Sequence, residues 1–232
     1  MEERKTVKFK KDELAIKERM KSEIGKGKIS KVIIEYTPMG EKIIISTSKP
    51  GLVIGRGGEK IQFLTEVLKK DFDLENPHIE IDEITEPDLD SQLVADDIAL
   101  GLERFGPLKF KVLAYRALQR IMKAGALGTE IRLSGKLPSS RARTWRFSQG
   151  YLKKAGDNAK VVDRAQAKAQ TKPGTVGVKI SILRPGAILK DKIHIGETLI
   201  AKLKENKENY EKPKTIKKTI KKKKWNQKIL KI

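Results

Sequence analysis

Cysteine is absent from the 232 residues, and histidine occurs only at His78 and His194. Thiol chemistry and a Cys/His zinc site are therefore excluded. Aromatic residues make up only 5% of the chain, so rows of stacked bases are not its main means of recognition. No apolar run approaches the ~20 residues of a membrane span, and Met1 to Lys11 is too charged for a secretory signal. Acid is also in short supply. Lys and Arg number 51 against 30 Asp and Glu, a formal charge of +21, and an excess of that size predicts a polyanionic partner. Anionic lipid would satisfy charge alone; a specific phosphate site would favour nucleic acid. The length allows one large domain or two small ones, either with a real core, and cytoplasm is the default compartment.

That site is legible in Val53-Ile54-Gly55-Arg56-Gly57-Gly58-Glu59-Lys60-Ile61. An apolar pair leads into a glycine loop, and a run with Ile61, Leu64, Val67 and Leu68 at helical spacing follows. Gly55 and Gly58 lack a Cβ, so the backbone there can take positive φ and come close to a ligand. The unpaired amides of the next helix N-terminus favour an anion, and Arg56 adds a cation. The motif departs from a Walker loop, since Glu59 follows Gly58, and from a dinucleotide fingerprint, since Lys60 stands where glycine is needed. Placed between a strand pattern and a helix, the loop resembles the I-G-x-x-G loop of KH domains, which clamps about four nucleotides of single-stranded backbone. The candidate RNA contacts here are Ile54, Gly55, Arg56, Gly57, Gly58 and Lys60.

The surrounding pattern is helix, strand, strand, loop, helix, strand, helix. Asp12 to Ile24 reads as a helix, with Ile16, Met20 and Ile24 spaced by four. Strands are expected at Val32 to Tyr36, Ile43 to Ser48 and His78 to Asp82, and a second helix at Asp90 to Arg104. This order matches a type II KH domain. Between Glu80 and Asp97 lie eight acids: Glu80, Asp82, Glu83, Glu86, Asp88, Asp90, Asp96 and Asp97. They read as a solvated surface or, more sharply, as a face turned from RNA toward a basic protein.

Gly106-Pro107 opens a second region. Lys109 to Lys123 is the best amphipathic helix in the chain. At about 100° per residue, Lys109, Arg116, Arg120 and Lys123 share a narrow stripe beside the apolar face of Phe110, Ala117 and Ile121. Lys111 adds a cation near its start, and Lys136, Arg141, Arg143 and Arg146 follow in a loop and strand start. Thr129 to Ser134 and Val176 to Ile182 alternate as strands. Lys160 to Gln170 has helical propensity, but its position between strands predicts a sheet member. Residues 212–232 hold ten lysines and no acid, the composition of a disordered arm that orders against RNA or stays a flexible counterion.

The whole resembles the small-subunit ribosomal protein S-three family in its archaeal and eukaryotic form, over roughly residues 10 to 185. The glycine loop carries the resemblance, with Ala124-Gly125-Ala126-Leu127-Gly128, Leu133-Ser134-Gly135-Lys136-Leu137 and Gly177-Val178-Lys179-Ile180. It implies an α+β chain: a type II KH domain in residues 1–105, a carboxy-terminal α/β domain in 106–186, and a Lys-rich extension in 187–232, disordered off the ribosome. It implies ribosomal RNA, messenger RNA and the head proteins numbered ten and fourteen as partners, on the side of the small subunit where messenger enters. No enzyme activity, cofactor or metal is expected. In bacterial relatives, basic residues at the start of the second-domain helix open messenger structure. Here Lys111 fills the first of two arginine positions, Val112 the second, and Tyr115 a lysine position. That leaves a general cationic lining by Lys109, Lys111, Arg116 and Arg120. A free-standing KH factor would use the same chemistry. A nuclease or DNA-lesion lyase would need a lysine of lowered pKa, and no lysine is singled out.

Overall fold

The computed structural model describes residues 2–189 except 38, 39, 73 and 75, together with 200, 202, 203 and 207. Two compact units are present, Met1–Ile188 and Leu189–Ile232; the architecture below is that of the first. The Lys-rich tail lies outside the described residues.

The chain begins with α1 (Glu2–Ile24), whose Ile16, Met20 and Ile24 are fully buried, as their spacing requires of one helix face. It starts ten residues before the Asp12 expected from sequence, and those added first turns are exposed. Strands β1 (Ile29–Thr37) and β2 (Gly40–Thr47) form an antiparallel hairpin. The chain then passes through α2 (Pro50–Ile54), a turn of 3-10 helix (Arg56–Gly58) and α3 (Glu59–Phe72). It returns as β3 (His78–Glu83), parallel to β2. The sheet order is β1-β2-β3. Ile43, Ile45, Val32, Val53, Leu64 and Leu68 close a core with the α1 residues.

The glycine loop therefore lies between two helices, where the sequence pattern suggested a strand before it. Five residues are too few for helical periodicity to register. Pro50 opens α2 because a first-turn position needs no amide donor.

The helices α4 (Ser91–Phe105) and α5 (Phe110–Lys123) follow, separated by Gly106 at φ +81° and a turn at Pro107–Lys109. A second sheet is built from β4 (Gly128–Gly135), β5 (Arg143–Gly150), β6 (Asp163–Thr171) and β7 (Gly174–Leu183). It is antiparallel throughout, in the order β5-β4-β7-β6. The stretch of uncertain propensity is thus strand β6. Its alanines 165 and 169 point into the core, while Arg164, Gln166, Lys168 and Gln170 point out, a period of two that a helix cannot satisfy.

Both helices cover one face of this sheet. Phe110, Ala114, Ala117, Leu118 and Ile121 of α5 meet Ile131, Leu133 and Phe147, while Val94, Ala95, Ile98, Ala99 and Leu102 of α4 join the same core. The helix expected to complete the first domain thus buries its apolar face with the second sheet. Polar bonds tie it back to the first. Asp90, 4% exposed, caps α4 by accepting from the amides of Gln92 and Leu93 at 3.0 and 3.3 Å. The Ser30 hydroxyl of β1 donates to the same carboxylate at 2.6 Å. The Gly27 amide donates to Asp96 at 3.1 Å, and Lys26 reaches Glu103 at 3.1 Å.

These bonds add internal partners to the reading of the acidic run as a solvated surface. Asp90 and Asp96 hold the α4 junction, Asp97 binds Arg120 at 2.5 Å, Asp82 accepts from Ser46, and Glu80 pairs with Lys42 at 2.8 Å. More than half of the run has internal partners, but Asp82, Glu83, Glu86 and Asp97 stay exposed and only Asp90 is buried, so most of it is a solvated surface that also carries internal pairs.

Candidate nucleic-acid interface

The loop from Gly55 to Gly58 takes positive φ at three glycines, +76° at Gly55, +63° at Gly57 and +85° at Gly58. Each glycine has its own reason. A Cβ on Gly55 would stand 2.8 Å from the Cβ of Lys60, so the turn closes only without one. A Cβ on Gly57 or Gly58 would meet nothing within 4 Å. The space above these two is open, and the backbone can be approached there by another chain. Arg56 and Gly57 are exposed. The α3 N-terminus begins at the next residue and carries Glu59 in its first turn, an acid that offsets part of the helix's attraction for an anion. Lys60 is half-buried, its ammonium 3.5 Å from the Leu52 carbonyl, so it closes α2 as well as adding charge. Leu52 and Ile54 on α2 keep exposed side chains that offer apolar contact to a base beside the backbone. Leu52 was not among the residues expected from sequence, since it lies outside the glycine motif itself.

The cations of α5 differ in their freedom. Arg120 is bound to Asp97 at 2.5 Å and lies 4.0 Å from Asp88, so the stripe is interrupted by acids from outside the helix. Lys109 stands over the Phe105 ring at 5.6 Å, and Lys111 over Trp145 at 5.0 Å; these ring contacts orient an ammonium without neutralising it. Arg116 and Lys123 are exposed and have no ion pair among the described residues. Between the cations, Leu108, Val112 and Tyr115 are also exposed.

The basic loop after β4 is anchored at Leu137, which is fully buried and whose carbonyl accepts from the Trp145 indole at 3.1 Å. Around that anchor Lys136, Arg141 and Arg143 are exposed. Arg146 is held differently, 3.0 Å from the buried carboxylate of Glu130. The structure brings Lys111 against the base of this loop through Trp145. It gives no contact joining the glycine loop to either group.

Comparison with known proteins completes this geometry. The profile described as "KH domain" matches residues 15–89, and that described as "Ribosomal protein S3, C-terminal domain" matches residues 98–182. Small ribosomal subunit protein uS3 of Methanocaldococcus jannaschii is 46% identical over 198 residues, 85% of this chain and 94% of that protein. The chain belongs to this family. The uS3 protein of Methanosphaera stadtmanae is 40% identical over 74% of this chain and 68% of its own length. That of Halobacterium salinarum is 44% identical over 69% and 53%. The two profile matches follow one another along this chain, the first over the glycine loop and the second over α5 and the second sheet. Its members are named as ribosomal proteins and not as enzymes, in keeping with a site made of amides and cations.

Proposed function

We propose that this uS3-family chain is a structural protein of the small ribosomal subunit, acting in translation, and that it binds ribosomal RNA and lines the path by which messenger RNA enters. The coarser role rests on family membership over most of the chain. The finer one rests above all on the open backbone at Gly57 and Gly58. Amides there, with Arg56 beside them, suit a phosphodiester whose oxygens lie closer than a side chain would allow. Lys109, Lys111, Arg116 and Lys123 of α5, with Lys136, Arg141 and Arg143 of the anchored loop, form the cationic lining toward messenger. Arg120 contributes less, since Asp97 holds it. The division into residues 1–105, 106–186 and 187–232 belongs to this reading. So do the head proteins numbered ten and fourteen as neighbours, the cytoplasmic ribosome as location, and threading of the lysine tail between RNA segments.

The double variant Gly57→Asp, Gly58→Asp tests it. Nothing within 4 Å blocks the new side chains, so the fold is kept apart from strain at positive φ of about 1–2 kcal/mol per residue. Affinity for single-stranded RNA is expected to fall about 100-fold, and incorporation into small subunits to fail after a high-salt wash. Unchanged RNA affinity in the folded variant would remove the loop from the interface. A wild-type chain that leaves the subunits in that wash would remove the ribosomal role.

A further inference from the structure

The face of the second sheet turned away from α4 and α5 has no part in the reading above, apart from Arg146. Register sets its side chains in rows across the four strands. One row is Arg146, Arg132, Lys179 and Gln166; the next is Ser148, Glu130, Ser181 and Arg164; a third is Thr144, Ser134, Gly177 and Lys168. None of these twelve positions is apolar, although the opposite face of the same strands is the core. Side chains directly opposite on neighbouring strands stand about 4.5–5.5 Å apart, and like charges so placed are destabilising. Arg146, Arg132 and Lys179 are three cations in line.

One acid stands among them. The Glu130 side chain is 2% exposed and receives Arg132 and Lys154 at 2.5 Å each and Arg146 at 3.0 Å. Burial pushes its carboxyl up, and the bonds from Lys154 and Arg132 outweigh that and hold it below the usual value. A single carboxylate cannot neutralise three cations. Lys179 and Arg164, both exposed, flank the cluster without an ion pair among the described residues. The sheet and the segment Leu152–Lys154 enclose a hollow of about 260 Å³, lined by Arg132, Lys154, Arg164, Gln166 and Lys179 among others. Glu130 fixes the direction of the arginines, and the surplus charge opens into the hollow.

We propose that this hollow is a second RNA-backbone site, taking a phosphodiester at the Arg132–Lys179–Arg164 cluster. Guanidinium groups present paired N–H donors in a plane, which matches the oxygens of a phosphate. The three rows hold no aromatic residue, so contact is led by phosphate and tolerant of sequence. The site extends the RNA-binding reading to another surface, and the two can fail separately.

The test uses the full chain and a fluorescent twelve-residue oligouridylate, with affinity followed over a range of salt. The pair Arg164→Gln, Lys179→Gln places on the outer face the residue type already present at Gln166. Affinity is expected to fall about tenfold, and the slope of log affinity against log salt to become shallower by about 0.7 for each phosphate no longer held. In the wild-type protein, RNA should slow acetylation of Lys179, a readout that does not depend on the variant folding. An unprotected Lys179 in RNA-saturated protein overturns the proposal, as does unchanged affinity and slope in a folded variant. Protection by polyglutamate but not by RNA also overturns it, assigning the face to an acidic protein. Loss of binding in the Gly57, Gly58 variant alone would leave the loop standing and remove this site. Loss in the sheet variant alone would do the reverse.

Discussion

The glycine loop and the outer face of the second sheet, as proposed anion sites, would work by opposite means. The loop would work by leaving side chains out: Gly55 turns the chain with its amide bonded to the Gly51 carbonyl at 3.0 Å, and nothing stands within 4 Å of the missing Cβ atoms at Gly57 and Gly58, both at positive φ. The sheet face works by accumulation, with cations from neighbouring strands set side by side and Glu130 keeping them in place. The first is damaged by adding atoms and the second by removing charge. Where a site is made of backbone, four consecutive residues suffice to build it. Where it is made of side chains on separate strands, the entire sheet must be in register first.

The largest expected effect tests whether the sheet site depends on one close backbone seam. Gly128 begins β4 beneath Tyr151, and a Cβ there would lie 2.0 Å from the Tyr151 carbonyl oxygen. Gly128→Ala should cost more than about 4 kcal/mol, the range of severe core overpacking. It should also release the segment 152–154 that walls the hollow. A loss below about 1 kcal/mol in denaturant unfolding would mean that this seam yields easily.

Next comes the junction between the two regions. Asp90→Ala removes a helix cap and strands the buried Ser30 hydroxyl, at a cost of about 2–3 kcal/mol. Because α4 packs with one sheet and is bonded to the other, both cores should respond. Hydrogen exchange confined to one core would show that the regions are less coupled than these bonds imply.

Glu130→Gln is expected to cost about 1–2 kcal/mol at pH 7, since three cations lose their shared anion and Gln retains part of the hydrogen bonding. The folded carboxyl lies below its usual value. Its contribution is therefore complete above the unfolded carboxylate range, near about 4.3, and is lost as pH falls through the lower folded value. The gap between wild type and variant should narrow on acidification; a gap that widens from pH 5 to pH 3 contradicts the assignment.

The smallest effect returns to the loop. Glu59 sits in the first turn of α3, where its charge competes with a phosphate for the helix N-terminus. Glu59→Gln should raise affinity for oligouridylate about twofold, with no comparable gain in the Gly57, Gly58 variant. Weaker binding would show that Glu59 orders the loop instead of opposing its ligand.

Much of this was readable from short stretches. Ile16, Met20 and Ile24 at every fourth position, with no apolar alternation between them, read as a buried helix face, and Val176, Val178, Ile180 and Ile182 as a strand. The glycine loop was equally plain, because its residues are contiguous and its chemistry is local. The helix α2 escaped notice, being shorter than two turns. The side on which α4 buries itself could not be read either. Its apolar face fits any sheet, and only packing selected the second core. Arg120 looked free because its acids, Asp88 and Asp97, lie 32 and 23 positions away in sequence.

Sequence alone therefore determined most of the elements, the surplus of cations and the glycine loop, since each depends on neighbours along the chain or on composition. Tertiary structure decided which cations are spent and which are left. Arg132, Arg164 and Lys179 alternate with apolar residues on three different strands, and a shift of one residue in pairing would turn any of them to the opposite face. Coulomb energy depends on distance through space, and that distance does not exist until the strands have paired.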